Sequence, residues 1–182
     1  SIDRGTSVGK RDYAIVVLAA HLGLSESDIA RLRFENMHWD NSTITFEQFK
    51  TGKNINLPLL PIVGNAILDY IQYGRPKANE KYIFVLVTSP YLPIKSSTIA
   101  GMVGRRFIKA DLNTKGKRHG GHSLRHSLVK ELLQNRQTLP VIMEVLGHKN
   151  LESTRHYIRI DMASLRQCAL DVPGVDPLFY AQ

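Results

Sequence analysis

The sequence predicts a mainly α-helical domain carrying one small antiparallel β-sheet, an α+β fold. Three observations point there. Residues 11–22, after Arg11 and Asp12, form a nearly continuous apolar run broken by His21 and closed by Gly23, as in a buried helix with a glycine stop. Apolar stripes of helical spacing recur through most of the remaining chain. At one place, residues 43–59, the apolar period drops to two on either side of a Lys-Thr-Gly-Lys turn.

In chain order, residues 1–10 are polar with Gly5 and Gly9 and read as a flexible lead-in to a domain over residues 11–170. After the first helix, Ser25-Glu26-Ser27-Asp28 reads as a capped helix start that carries Ile29 and Leu32 inward. Ile44 and Phe46, then Ile55, Leu57 and Leu59, alternate as two strands of a hairpin, with Lys50 and Lys53 at its tip. Pro61 opens a helix in which Val63, Ile67, Tyr70 and Ile71 share a face, and Gly74-Arg75-Pro76 ends it. A proline-containing loop at 89–95 leads to a helix marked by Ile99, Met102, Val103 and Phe107, with Arg105, Arg106 and Lys109 pointing elsewhere. Residues 114–121 are a basic, glycine-rich loop expected to order only on a partner. Helices are expected at about 122–134, 140–146 and 151–158. An amphipathic segment at 161–170 and an irregular tail at 171–182, with Pro173 and Pro177, complete the chain. There is no internal repeat, low-complexity block or interdomain linker.

The totals bound the function. An apolar fraction of 43% is ordinary for a globular protein, and no segment approaches a membrane span. The formal charge of +8, with a pI near 9.7, favours a polyanionic partner. Cys168 is the single cysteine, which excludes an internal disulfide and a thiolate metal cluster. With no signal-peptide pattern and Ser1 rather than methionine at its start, the chain reads as a fragment or processed product made and kept in the cytoplasm.

The chemistry concentrates between His122 and Tyr157. Arg125 can hold a phosphate oxygen through its planar fork, and His122, three residues earlier, projects from the same helical face. Gly120-Gly121 allows close backbone approach to a phosphate, and the helix N-terminus adds partial positive charge. His148 follows Gly147, read as the left-handed cap of the preceding helix, and its imidazole can donate to a nonbridging oxygen. Tyr157 taken alone reads as a core aromatic. In this company it is a phenol able to attack phosphorus. Cutting a phosphodiester without metal requires cationic donors for the pentacoordinate phosphorane, an in-line nucleophile and an acid for the leaving oxygen.

His122-Ser123-Leu124-Arg125, Leu146-Gly147-His148 and Thr154-Arg155-His156-Tyr157, in that order, resemble the C-terminal half of the catalytic domain of the tyrosine recombinases, the phage-integrase family. The resemblance extends from about residue 9 to 170. It implies the tyrosine recombinase catalytic-domain fold and a bacterial, mobile-element integrase acting in site-specific DNA recombination and integration. It also implies that a smaller N-terminal core-binding domain is absent from this chain. Tyr157 would be the nucleophile that forms a 3′-phosphotyrosyl link and frees a 5′ hydroxyl, with His122, Arg125 and His148 around the phosphate. Lys50 matches the hairpin lysine of the family, the acid for the leaving 5′ oxygen. Bond energy is retained in the phosphotyrosine, so no cofactor, ATP or metal is implied. The absence of a nucleotide loop or clustered carboxylates agrees.

One position departs from the pattern. The family sets its first catalytic arginine directly after a Gly-Leu pair that closes the opening helix; here Gly23-Leu24 is followed by Ser25. Asp28 matches an acidic position expected to support the site rather than act in it. Arg31 lies six residues on, about 9 Å of helical rise and on another face, and Arg33 is no better placed. The expectation is a domain that binds DNA and cuts it weakly or not at all. Ser25 also suits a simple helix N-cap.

The expected partner is double-stranded DNA near the nucleoid, contacted by Lys53, Arg105, Arg106, Lys115, Lys117 and Arg118. A homo-oligomer on DNA is expected through the apolar stripe of Met162, Leu165 and Ala169. Two other readings remain open: a noncatalytic DNA-binding protein on a recombinase fold, supported by Ser25, and a type IB topoisomerase-like enzyme with the same nucleophile. A zinc site at His122 and His126, four apart on a helix, lacks an accompanying third ligand.

Overall fold

A computed structural model describes residues 2–110 and 120–147 of the chain. The described elements run α1 (Ser7–His21), α2 (Glu26–Arg31), a short 3₁₀ turn (Phe34–Asn36), β1 (Met37–His38), β2 (Thr43–Glu47), β3 (Asn54–Pro58), α3 (Pro61–Tyr73), α4 (Ser96–Lys109), α5 (Gly121–Gln134) and α6 (Leu139–Leu146). The mainly helical, small-sheet architecture is the one expected from the sequence.

Helix α1 carries Ile15, Leu18 and Ala14, all fully buried, against Val63, Ile67 and Tyr70 of α3. It starts four residues before the apolar run. The Thr6 hydroxyl accepts the Gly9 amide at 3.0 Å and caps the helix, and Lys10 pairs with Asp69 of α3 at 2.7 Å. Residues 7–10, expected in the flexible lead-in, are therefore the first turn of a core helix. A polar turn carries no hydrophobic period, so only its cap reveals it.

The expected hairpin is present, and its register sets Ile44 opposite Leu57 and Phe46 opposite Ile55. Ile44, Ile55 and Leu57 are buried on one face, while Asn54, Asn56 and Pro58 face outward. A third strand joins it: β1 pairs antiparallel with β2, Met37 opposite Ile44. Two residues are too short to display an alternation, which is why the sequence pattern gave no sign of β1.

Two long side chains organise the segment after α3. The Tyr70 ring stacks on Phe84 at 5.5 Å between centroids, and its hydroxyl accepts the Val85 amide at 3.4 Å. Burial pushes the Tyr70 phenol pKa up. Arg75 donates to the carbonyls of Pro76, Ala78, Glu80, Tyr82 and Ile83, wrapping residues 76–83 around one guanidinium. The segment thereby buries Ile83, Phe84 and Val85 in an irregular stretch with no readable period.

Helix α4 packs through Ile99, Met102 and Val103. Arg106 donates to the buried Asp12 carboxylate of α1 at 2.7 Å; Arg11 holds the other oxygen at 3.0 Å. A carboxylate removed from water needs such cations, and through this pair Arg106 joins α4 to α1. Arg105 and Lys109 are exposed as expected. No described helix is long and apolar enough to cross a membrane.

Candidate active site

Two left-handed glycines place the ends of the relevant helices. Gly23, at φ +64°, turns the chain sharply after α1. A Cβ there would lie 3.0 Å from Leu128 of α5 and 3.3 Å from Leu146 of α6, so the end of α1 fits closely between those helices. Gly147, at φ +66°, caps α6 as the sequence anticipated. A Cβ at Gly147 would lie 2.7 Å from both Gln48 Oε1 and Ile55 Cδ1. Gly147→Ala is accordingly expected to destabilise the fold by about 2–3 kcal/mol, combining a left-handed penalty with overpacking. A urea melt giving less than a third of that would mean the corner relaxes freely.

Arg125 locks these ends together. It is 8% exposed, and its guanidinium donates to the Gly23 carbonyl at 2.8 Å and to the Leu146 carbonyl at 2.5 Å. The last turn of α6 has carbonyls without helical partners, and a cation beside them is favourable on both hydrogen-bond and dipole grounds. Gln48, buried at the end of β2, donates to the same Leu146 carbonyl at 3.0 Å and accepts the Thr51 hydroxyl at 2.6 Å. The hairpin tip is thus fastened to the corner that immediately precedes His148 in the sequence.

Ser25 is the N-cap of α2, with its hydroxyl accepting the Asp28 amide at 3.3 Å and donating to Asp28 Oδ2 at 2.6 Å. The other Asp28 oxygen accepts the Phe49 amide at 2.9 Å. Asp28 is buried: one oxygen closes the cap of α2 at Ser25 and the other ties α2 to the residue just before Lys50. The turn itself closes through Gly52 N–H to the Gln48 carbonyl at 2.8 Å, with Gly52 at φ +63°.

These contacts leave a recess of about 170 Å³ between the elements. The start of α2 contributes Ser25, Glu26 and Asp28; the hairpin contributes Gln48, Lys50 and Thr51; the start of α5 contributes Gly121, His122 and Arg125. Four positions singled out from the sequence, Ser25, Lys50, His122 and Arg125, therefore meet around one small space. It combines an ammonium, a guanidinium, an imidazole and the N-terminus of a fourteen-residue helix, a donor set suited to an anion. His122 stands edge-on to His126, ring centroids 4.4 Å apart.

Other candidates lie apart. Lys53, on the returning side of the turn, and Arg105 do not line the recess, and Arg106 is engaged with Asp12. Arg31 stacks on the Phe49 ring at 3.4 Å and Arg33 pairs with Glu35 at 2.9 Å, and neither lines the recess. His148 and Tyr157 lie outside the described residues, as do Lys115, Lys117 and Arg118, the expected helix at 151–158 and the segment at 161–182. Among the described residues no three His, Cys, Asp or Glu side chains group as metal ligands would. Gln48, Thr51 and Glu26 line the recess without having been singled out. Gln48 sits at a strand end, where no pattern distinguishes a buried amide from a solvated one.

The phage integrase family model matches residues 2–164 of the chain. A putative integrase/recombinase of Sinorhizobium fredii, y4gC, is 38% identical over 171 residues, covering 94% of this chain and 88% of that protein. A second from the same organism, y4rA, is 36% identical across 96% of this chain, which spans only 42% of it. The crystal structure of XerA recombinase superposes with a TM-score of 0.74 at 24% identity, covering 89% of this chain and 58% of its own. XerH site-specific recombinase, bound to palindromic difH substrate, superposes with a TM-score of 0.71 at 21% identity, over 89% and 46% of the two chains. The fold is that of the tyrosine recombinase catalytic domains.

Proposed function

Because this chain belongs to the phage integrase family, we propose that it serves as the catalytic domain of a site-specific recombinase that breaks and rejoins duplex DNA through Tyr157. The observation that supports this most is the convergence of Lys50, from the hairpin, with His122 and Arg125 of α5 on one recess, two segments far apart in sequence. The structural neighbours include a recombinase bound to its difH substrate and a transposon integrase in complex with circular intermediate DNA, which supports DNA as the partner.

In this reading a scissile phosphate enters the recess, where Arg125 and the α5 N-terminus face its nonbridging oxygens. The Tyr157 phenol releases its proton to solvent as its oxygen attacks phosphorus, the bond to the 5′ oxygen breaks, and Lys50 gives that oxygen a proton. A 5′ hydroxyl from a partner strand then attacks the phosphotyrosine and releases the phenol. Charge stabilisation by preoriented donors supplies the largest share of such catalysis. Arg125 is well suited to it, since its carbonyl partners hold the guanidinium before DNA arrives. His148 would complete the phosphate shell, and Lys53, Arg105, Lys115, Lys117 and Arg118 would contact backbone further out. The segment at 161–170 would join neighbouring copies on DNA.

The experiment is covalent trapping on a nicked suicide duplex, in which the freed strand diffuses away and the phosphotyrosine accumulates. Tyr157→Phe is expected to abolish the adduct while leaving DNA binding unchanged. An adduct that persists in Tyr157→Phe would remove the assignment. A noncatalytic DNA-binding role is the second reading, and Ser25 favours it: the place of the first arginine holds a hydroxyl bonded to Asp28. No adduct from the wild type or from a form with arginine restored there would select that reading.

A further inference from the structure

Glu26 is the charged side chain of the recess for which the proposed chemistry has no use. It is the first residue of α2, half-buried, and lines the recess together with Lys50, His122 and Arg125. Among the described residues its carboxylate makes no hydrogen bond or ion pair, whereas both oxygens of neighbouring Asp28 are occupied. Its position is specific. A Cβ at Gly121 would lie 2.7 Å from Glu26 Oε1 and 2.9 Å from Cδ, so the carboxylate rests directly over the first residue of α5. That is the end of α5 at which amide groups and partial positive charge would receive a phosphate oxygen.

We propose that Glu26 is an electrostatic brake on this recess: its carboxylate opposes entry of the DNA phosphate and sets the affinity below what Lys50, His122 and Arg125 would give. This rests on the reading of the recess as a phosphate site. With Ser25 in place of an arginine, Lys50 and Arg125 face two carboxylates, Glu26 and Asp28, and a phosphate must enter a recess already balanced in charge. Two like charges a few ångströms apart in a partly enclosed site repel appreciably. A purely structural role is the competing account, because an acid in the first turn of α2 favours its dipole. The two roles predict different outcomes.

The test is a fluorescence-anisotropy titration of a labelled duplex at low and moderate salt, with thermal midpoints measured in parallel. Glu26→Gln is expected to bind about tenfold more tightly than wild type at low salt. Glu26→Ala should follow it, and Glu26→Asp should resemble wild type. Lys50→Ala should bind more weakly. If Glu26→Gln binds no more tightly while Lys50→Ala still weakens binding, the brake is overturned and the recess stands as a DNA site. Tightening by Glu26→Asp equal to that of Glu26→Gln would also overturn it, since the charge is retained. If Lys50→Ala and wild type bind equally, DNA does not pass the recess and both readings fall.

Discussion

Ser25→Arg is expected to raise the yield of covalent adduct on a nicked suicide duplex by about 10²–10³-fold, the usual return on one preoriented donor at a charged transition state. The geometry is favourable. Ser25 lines the recess with Lys50 and Arg125, and the following α2 turn is pinned to the hairpin through Asp28. An arginine there would extend from a fixed backbone position and restore net positive charge to the recess. Stability should move the other way. The Ser25 hydroxyl caps α2 and donates to Asp28, and loss of such a cap costs about 1 kcal/mol. A variant slightly less stable yet far more active in trapping is the expected combination. Unchanged adduct yield would mean that Ser25 does not occupy the arginine position, or that the step limiting the reaction lies elsewhere.

Arg125→Ala is expected to lower unfolding stability by about 3–5 kcal/mol even without DNA. Removing it leaves the Gly23 and Leu146 carbonyls short of a donor, each a loss of roughly 1–3 kcal/mol in a buried setting. Gln48 still reaches Leu146, so Gly23 is the carbonyl more exposed to the loss. Arg125→Lys should recover only part of the stability, because one ammonium cannot serve two separated carbonyls as the planar fork does. The urea midpoint measures this, with an unchanged m-value marking a true stability change. A loss under 1 kcal/mol would contradict the clamp and leave Arg125 as a phosphate ligand alone. If both functions hold, inactivity of an Arg125 variant must be read beside its melting curve.

The candidate site was legible in the sequence to the extent that each residue sits in a local motif. The resemblance to the phage-integrase family singled them out through short motifs: His122 and Arg125 three apart on a helix, Lys50 in the Lys-Thr-Gly turn, and Ser25 after Gly23-Leu24. Those are short-range patterns, and the structure brings the four together. The helices with an apolar stripe were legible for the same reason, as were the glycine ends at Gly23 and Gly147. Elements without a period were not: the polar first turn of α1, the two-residue β1 and the irregular stretch held by Arg75.

Charge identity was equally plain from residue type, and charge assignment was not. Arg105 and Arg106 are adjacent and indistinguishable as text, yet one is exposed and the other grips a buried aspartate from a helix ninety-four residues earlier in the chain. Gln48 and Glu26 carried no sequence signal for the same cause. Local spacing says which side chains a helix or turn can present, because bond geometry repeats every two or every 3.6 residues. Which partner each one meets depends on how distant segments pack. Here that packing gave Arg125 its two carbonyls, gave Arg106 its carboxylate, and left Glu26 over the N-terminus of α5.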